Sequence, residues 1–157
     1  MRAVSSEDAG RRVVEQIRVA FSSARVPSVL VRDPHDYCGS ELISTFGGRS
    51  WEDVSAEDIA LHKDDHLQLS LEGLFFLLPA YMVHSIDEPE VTDVAMESTC
   101  MNLSPDVLAG VYGAEELDSR VAALTESQVG AISSYLRYAS GLVPYAVAAG
   151  TASYWGV

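Results

Sequence analysis

Two histidines four residues apart, His62 and His66, are the first residues in this sequence whose spacing could support chemistry. On a helix this spacing places both imidazoles on one face, and Asp58 lies one turn earlier as a third ligand of the kind that zinc takes. The zinc-protease pattern has glutamate directly after its first histidine, but Lys63 occupies that position. We therefore interpret the three residues as the polar end of a helix and expect no metal or other cofactor.

Signatures of other catalytic sites are also missing from the sequence. Asp33, His35 and Asp36 form a second polar cluster, but no Gly-x-Ser-x-Gly elbow accompanies them. The glycine-rich stretch 47–50 lacks the Walker and Rossmann spacings. The absence of these patterns favours a non-enzymatic protein.

An alternative, an enzyme or ligand-binding site, would lie in the most apolar part of the chain, residues 74–86. Pro79 removes a helical hydrogen bond, which predicts a kink or break that leaves backbone groups in need of partners. In this alternative, we expect Trp51, Tyr81 and Met82 to line a pocket beside Pro79. The competing interpretation is that these side chains form the core of the fold.

Charge divides the 157 residues into two unequal parts. Residues 1–32 have a net charge of +3 and residues 33–157 a net charge of −16, which together give −13. This acidity excludes nucleic acid as a partner, because phosphate binding depends on lysine and arginine, and favours a basic protein partner. The predicted acidic face for that partner consists of Asp87, Glu88, Glu90, Asp93 and Glu97.

No feature of the sequence indicates a membrane or secreted protein. The N-terminus lacks the apolar segment of a signal peptide, and the apolar run 74–83 is shorter than the roughly 20 residues that span a bilayer. Cys38 and Cys100 belong to no CxxC or Cys/His cluster, so we expect free thiols. The sequence therefore predicts a cytoplasmic protein without membrane contact.

The end of the chain carries no charge at all after Arg137. Residues 138–157 are mostly small and uncharged, and we expect them to cover the core or to pack against a second copy of the chain. The second arrangement predicts a homodimer, because charged residues are depleted in the core of an interface.

The elements that must position these groups are predicted to be helices. Capping residues followed by apolar residues at three- and four-residue spacings indicate helices that begin near Ser5, Tyr37, Ser55, Ser70, Thr92, Ser104 and Thr125. Only residues 26–31 favour an extended segment. The sequence predicts an all-α fold, a compact single domain over residues 1–157 with about five to seven helices.

Four motifs occur in order along the chain. They are Ala20-Phe21, the Phe-x-x-x-x-Trp step from Phe46 to Trp51, the Phe-Leu-Leu-Pro-Ala-Tyr-Met block from Phe76 to Met82, and Arg120 followed by Leu124-Thr125-x-x-Gln128. Their order resembles that in an uncharacterised family of small bacterial proteins, a domain of unknown function. The resemblance covers most of residues 10–140 and implies no reaction, and Val121 departs from the aromatic residue expected after Arg120.

Together these features favour a non-enzymatic protein-interaction domain. One form of it is an acidic inhibitor or immunity-type protein that masks the nucleic-acid-binding surface of a basic partner. The alternative from another class is a small enzyme or ligand binder with its pocket near Trp51 and Pro79.

Overall fold

The chain folds almost entirely into helices. A computed structural model describes residues 5–157, so the first four residues of the predicted domain, with Arg2, lie outside the described part. Within this range the α-helices are α1 (Ser6–Ala20), α2 (Tyr37–Phe46), α3 (Ala56–Leu61), α4 (Leu71–Asp87), α5 (Pro89–Thr92), α6 (Ala95–Asn102), α7 (Pro105–Tyr112), α8 (Ala114–Ala122), α9 (Glu126–Ser140) and α10 (Ala149–Trp155). Three 3₁₀ turns join them at Trp51–Asp53, His66–Gln68 and Pro144–Ala146.

Side-chain caps begin six of these helices. The capping residues each accept a hydrogen bond from the backbone N–H three positions later, and they are Ser5, Asp36, Ser55, Ser70, Ser104 and Thr125. At Ser55 and Thr125 the side chains of Asp58 and Gln128 accept a bond from the cap's own N–H, which completes two capping boxes. These bonds satisfy first-turn N–H groups locally, so the helix starts can be predicted from sequence.

The central helix, α4, is buried on nearly every side, and α1, α3, α5 and α6 pack around it. It runs through Pro79 without interruption, so of the kink or break predicted at this residue, the break is wrong. Each large apolar side chain buried around this turn contributes about 1.5–3 kcal/mol, and their sum exceeds the cost of about 3 kcal/mol for an internal proline. Neither α4 nor any other helix within residues 5–157 is long and apolar enough to cross a membrane.

The all-α fold is confirmed, but the described residues form ten α-helices, more than the five to seven predicted. The additional helices are α5, α8 and α10. Helix α5 is a single turn that ends at Thr92, so this residue does not begin the following helix as predicted. Helices α8 and α10 begin without a side-chain cap, so the capping signal that marks the other helix starts is missing from both.

The predicted extended segment lies between α1 and α2. Val31 forms an isolated antiparallel bridge with Leu69. The N–H of Ser70 donates to the Leu30 carbonyl at 2.9 Å, and the N–H of Arg32 donates to the Gln68 carbonyl at 3.0 Å. The segment thereby holds the loop that leads into α4.

The uncharged end of the chain packs against its own core. Trp155 is buried, and its indole N–H donates to the Leu103 carbonyl at 2.8 Å. Val143 and Ala146 are buried as well, whereas Tyr145 is exposed. The tail therefore both covers the core and presents apolar side chains to solvent.

Candidate functional site

A cavity of about 180 Å³ lies where the C-terminal end of α4 meets α5, α6 and the end of α9. We call it the acidic cleft and define it by six of the residues that line it, Ser85, Pro89, Asp93, Glu97, Tyr138 and Leu142. It contains two carboxylates and no lysine or arginine among its lining residues. Lys63, which does not line the cavity, already pairs with Asp93, so the cleft suits a cationic group at Glu97.

Glu97, on the first turn of α6, is the cleft residue whose contacts most clearly indicate a ligand. One carboxylate oxygen, Oε1, accepts a hydrogen bond from the Tyr145 hydroxyl at 3.2 Å. The other, Oε2, is buried and has no hydrogen-bond partner within the described part of the chain. A buried acceptor without a donor costs about 1–3 kcal/mol, and more when it is charged, so a donor from a bound molecule would relieve this cost.

Asp93, at the junction of α5 and α6, lies in an unusual backbone conformation. Its φ is +55°, and it is the one non-glycine residue with positive φ in the described chain. Lys63 pairs with Asp93 Oδ2 at 2.6 Å. Such conformations cost about 1–3 kcal/mol and concentrate at functional sites, which agrees with the position of Asp93 in the cleft.

Tyr138 reaches the cleft from α9 because α1 approaches this helix closely. A Cβ atom on Gly10 of α1 would lie 2.9 Å from the Tyr138 hydroxyl, so the absence of a side chain at Gly10 lets the two helices come close at this point. The Ser85 hydroxyl, on the opposite wall, lies 2.8 Å from the hydroxyl of Tyr135. The wall of the cleft is thus held by contacts between helices distant in sequence.

Exposed apolar side chains surround the carboxylate of Glu97. Tyr145 is 75 % exposed and Leu142 is 52 % exposed, although both belong to the uncharged tail. Val94 and Met101 are exposed three residues before and four residues after Glu97, so they share its face of α6. Exposed tyrosine is enriched in protein–protein interfaces, whereas an acidic residue is not typical of an interface centre and needs a cationic partner there.

The predicted acidic face is only partly brought together by the fold. Asp93 and Glu97 line the cleft, whereas Asp87 and Glu90 are exposed outside it. Glu88 ends α4, and its carboxylate lies 3.7 Å from Nδ1 of His84. Tyr138 and Tyr145 could not be predicted as cleft residues, because their contacts there depend on residues about 40 to 130 positions away in the chain.

The residues predicted to line a pocket, Trp51, Pro79, Tyr81 and Met82, lie in the core. The Trp51 indole donates to the Phe21 carbonyl at 3.0 Å, and the Tyr81 hydroxyl donates to the His62 carbonyl at 2.6 Å. Burial raises the pKa of Tyr81, so the phenol stays protonated as a donor. These side chains hold neighbouring segments together behind the protein surface.

The metal candidates are each engaged by other groups. Asp58 accepts from Arg49 at 3.0 Å and completes the cap of α3, and His66 Nε2 lies 3.0 Å from the Thr99 hydroxyl. Over residues 5–157 no three His, Cys, Asp or Glu side chains are grouped in a way that could hold a metal ion.

His62 instead joins a hydroxyl and a carboxylate. Its Nε2 lies 2.9 Å from the Thr45 hydroxyl and its Nδ1 lies 2.8 Å from Asp65 Oδ2. A hydroxyl, an imidazole and a carboxylate in contact one after another form the arrangement of nucleophile, general base and orienting acid found in hydrolases. However, His62 is buried, and the Thr45 hydroxyl also donates to the Glu41 carbonyl at 3.1 Å, so the chain of contacts serves to fasten α2 to the turn after α3.

Both cysteines are free thiols, as predicted. Burial raises the pKa of Cys100 to about 12. Burial and the neighbouring Asp65 carboxylate raise the pKa of Cys38. Neither thiol is therefore activated as a nucleophile.

Comparison with known proteins supports the resemblance found in the sequence motifs. Neither the curated proteins nor the solved structures include a match to the chain. The model of one family, described as a family of unknown function (DUF6714), matches residues 11–156. Because this match spans nearly the whole fold, including the acidic cleft, the chain belongs to that family of unknown function.

Proposed function

We propose that the protein is a non-enzymatic interaction domain whose acidic cleft receives a lysine or arginine side chain of a basic protein partner. The observation that carries the proposal is the buried, unpartnered Oε2 of Glu97. An ammonium or guanidinium group supplies the donors that this oxygen lacks, and a charge-assisted hydrogen bond is about twice as strong as a neutral one.

The size of the cleft supports one side chain as its occupant. Pockets for drug-sized ligands measure about 300–1,000 Å³, whereas the cleft measures about 180 Å³, which suits the end of one side chain. Tyr145 and Leu142 at its edge offer apolar area against which the stem of a lysine or arginine packs. A basic side chain is therefore anchored by charge at its tip and by apolar contact along its stem.

The net charge of −13 supports the choice of a basic partner over a neutral one. A strongly acidic body steers positively charged proteins toward the cleft and repels acidic ones. The partner class we propose is a protein with a basic, nucleic-acid-binding surface, which an inhibitor or immunity-type protein would mask.

Nuclear magnetic resonance titration of the full chain with capped arginine tests the proposal, and capped citrulline serves as its uncharged isostere. We expect capped arginine to shift the amide signals of Glu97 and Tyr145 saturably, and capped citrulline to leave them in place. The Glu97→Gln variant should lose the response, because it removes the charge that the guanidinium pairs with.

The matched control is Glu115→Gln, which removes the same charge from an exposed position on α8. This variant should respond like the original protein. Equal responses to arginine and citrulline, or an equal loss in the Glu115 and Glu97 variants, would show that the cleft does not recognise a cationic side chain.

The second test uses the immobilised full chain to capture proteins from a bacterial lysate at low and at moderate salt. We expect the captured proteins to be basic, to be lost with Glu97→Gln and to be retained with Glu115→Gln. Capture of acidic proteins only, or capture that neither substitution changes, would contradict the proposed function.

A further inference from the structure

A second cavity, of about 150 Å³, lies where the end of α1 meets α4, α8 and the start of α9. We call it the arginine pocket, and it shares no lining residue with the acidic cleft. Residues from three of the four motifs behind the family resemblance line it, namely Phe21, Phe76, Arg120, Leu124 and Gln128. Segments separated by up to about 100 positions are therefore brought to one cavity.

Two arginines, Arg25 and Arg120, line its wall. Neither forms a salt bridge or a side-chain hydrogen bond with any described residue, in contrast to Arg49, which is tied to Asp58. Arg120 is half-buried and Arg25 is exposed. Arginine presents a rigid fork of N–H donors that matches a carboxylate, so the wall offers donors that the fold itself does not use.

Gln128 adds a neutral donor to the same wall. Its Oε1 accepts the N–H of Thr125 at 3.0 Å as part of the cap of α9. This bond fixes the side-chain amide, and its Nε2 has no hydrogen-bond partner among the described residues. The positive end of the α9 dipole lies at the same place and favours an anion.

The apolar side of the pocket includes three phenylalanines, Phe21, Phe75 and Phe76, each at most 5 % exposed, together with Ala24, Ala123 and Leu124. These rings offer contact to a flat or branched apolar body, and such contact contributes through buried area. An inorganic anion has no apolar part that could contact this side of the pocket.

Glu72 limits the charge that the pocket accepts. It lines the same cavity, so the two arginines and this carboxylate give the lining a net charge of +1. One negative charge on a ligand neutralises that lining, and the Glu72 carboxylate repels a dianion about twice as strongly as a monoanion. The lining therefore favours monoanions over phosphate esters.

We propose that the arginine pocket binds a small monocarboxylate that carries an aromatic or branched apolar body. The carboxylate is held by Arg25 and Arg120, and the apolar body lies against the phenylalanines. This site is separate from the proposed protein-binding cleft, so either proposal can be wrong while the other is right.

Calorimetric titration of the full chain with phenylacetate tests the proposal, with isovalerate as a branched second probe. Phenylacetamide keeps the ring without the charge, and acetate keeps the charge without the ring. We expect at least one of the two carboxylate probes to bind about tenfold or more tightly than both phenylacetamide and acetate.

The substitution Arg120→Gln should weaken binding of that probe by about tenfold or more, because a charge-assisted contact is lost. The matched control is Arg18→Gln, which removes the same charge from the exposed face of α1. That variant should bind as the original chain does. Thermal unfolding of Arg120→Gln should be unchanged, since Arg120 has no side-chain partner in the described fold.

The role of Glu72 is tested with phenyl phosphate, a dianion at neutral to alkaline pH. We expect Glu72→Gln to strengthen phenyl phosphate binding relative to the carboxylate probe by about tenfold. Glu97→Gln should leave every one of these affinities unchanged, which distinguishes failure here from failure of the proposed function.

Several results would overturn the proposal. One is that neither carboxylate binds saturably, and another is that phenylacetamide or acetate binds as tightly as the carboxylate probes. A third is that the Arg18 and Arg120 variants lose the same amount of affinity. An unchanged ratio of phenyl phosphate to carboxylate affinity in Glu72→Gln would overturn the selection of monoanions.

Discussion

The indole nitrogen of Trp51 donates a hydrogen bond to the main-chain carbonyl of Phe21 across 3.0 Å, and both residues are buried. This bond satisfies a carbonyl at the end of α1 and connects that helix to the 3₁₀ turn at Trp51–Asp53. Phe21 also lines the arginine pocket. Trp51 therefore positions a pocket residue from behind, although it lines neither of the two proposed sites.

Replacement of Trp51 by phenylalanine should lower the free energy of unfolding by about 2–4 kcal/mol. The substitution removes one of the two hydrogen bonds to the buried Phe21 carbonyl, which keeps the bond from the Ala24 N–H at 3.1 Å, and leaves a cavity beside it. Urea denaturation measures the change as a lower midpoint. Tyr37→Phe, at a residue that is 82 % exposed, is the control and should change the midpoint little, and equal midpoints for all three proteins would contradict the prediction.

Acidification should destabilise the protein through His66. Burial lowers the pKa of this imidazole from 6.5 to about 4, despite the opposing effect of Asp64 and Asp65. The unfolded chain therefore binds the proton more readily, and the free energy of unfolding falls as pH falls from about 6.5 to about 4. The slope from this group approaches about 1.4 kcal/mol per pH unit, or roughly 3 kcal/mol in total.

The substitution His66→Gln isolates this contribution. Chemical denaturation at several pH values should give a flatter dependence between pH 6.5 and 4 than in the original chain, whatever the variant's stability at neutral pH. His35→Gln, at an exposed residue, should keep the original slope. Parallel curves for all three proteins would show that His66 does not couple stability to pH.

Gly73 in the first turn of α4 should tolerate no side chain. A Cβ atom there would lie 2.2 Å from the Leu30 carbonyl oxygen, which is part of the main chain and held by Ser70. We expect Gly73→Ala to destabilise the fold by about 1–3 kcal/mol. Gly110→Ala, in an exposed helical position with open space, should stabilise it by about 0.5–1 kcal/mol, and thermal unfolding distinguishes the opposite signs.

The backbone of Asp93 should favour glycine over alanine. Both substitutions remove the pair with Lys63, but only glycine adopts a φ of +55° without strain. We expect Asp93→Gly to be about 1 kcal/mol more stable than Asp93→Ala. At Asp87, in the last turn of α4, the same two substitutions should rank in the reverse order, and a common order at both positions would contradict the prediction.

Local signals explain which elements could be predicted from the sequence. Ser55 with Asp58 and Thr125 with Gln128 form the capping boxes that their spacing indicates. Helices α8 and α10 escaped prediction because no capping side chain begins them, and α5 because a single turn is too short to show a period. Pro79 was misjudged because burial of its neighbours, which is non-local, outweighs its cost.

The candidate sites were less predictable than the helices. The sequence identified Asp93 and Glu97 as members of an acidic stretch. It did not indicate that Tyr145 would donate a hydrogen bond to Glu97 from 48 positions away. No pattern in the sequence indicated that Arg25, Glu72 and Phe75 line one cavity, since none of them stands out within its own segment. Pockets form between elements, so periodicity within one element does not reveal them.

The all-α class, most helix starts and the separation of a basic N-terminal part from an acidic body follow from the order of the amino acids alone. These properties depend on caps, on three- and four-residue periodicity and on charge, all of which act over a few neighbouring residues. Only the tertiary structure decided that Glu97 would keep a buried oxygen without a donor and that Arg25 and Arg120 would share a pocket. Such relationships arise from packing between distant segments, where burial sets both the cost of an unpaired group and the space left for a ligand.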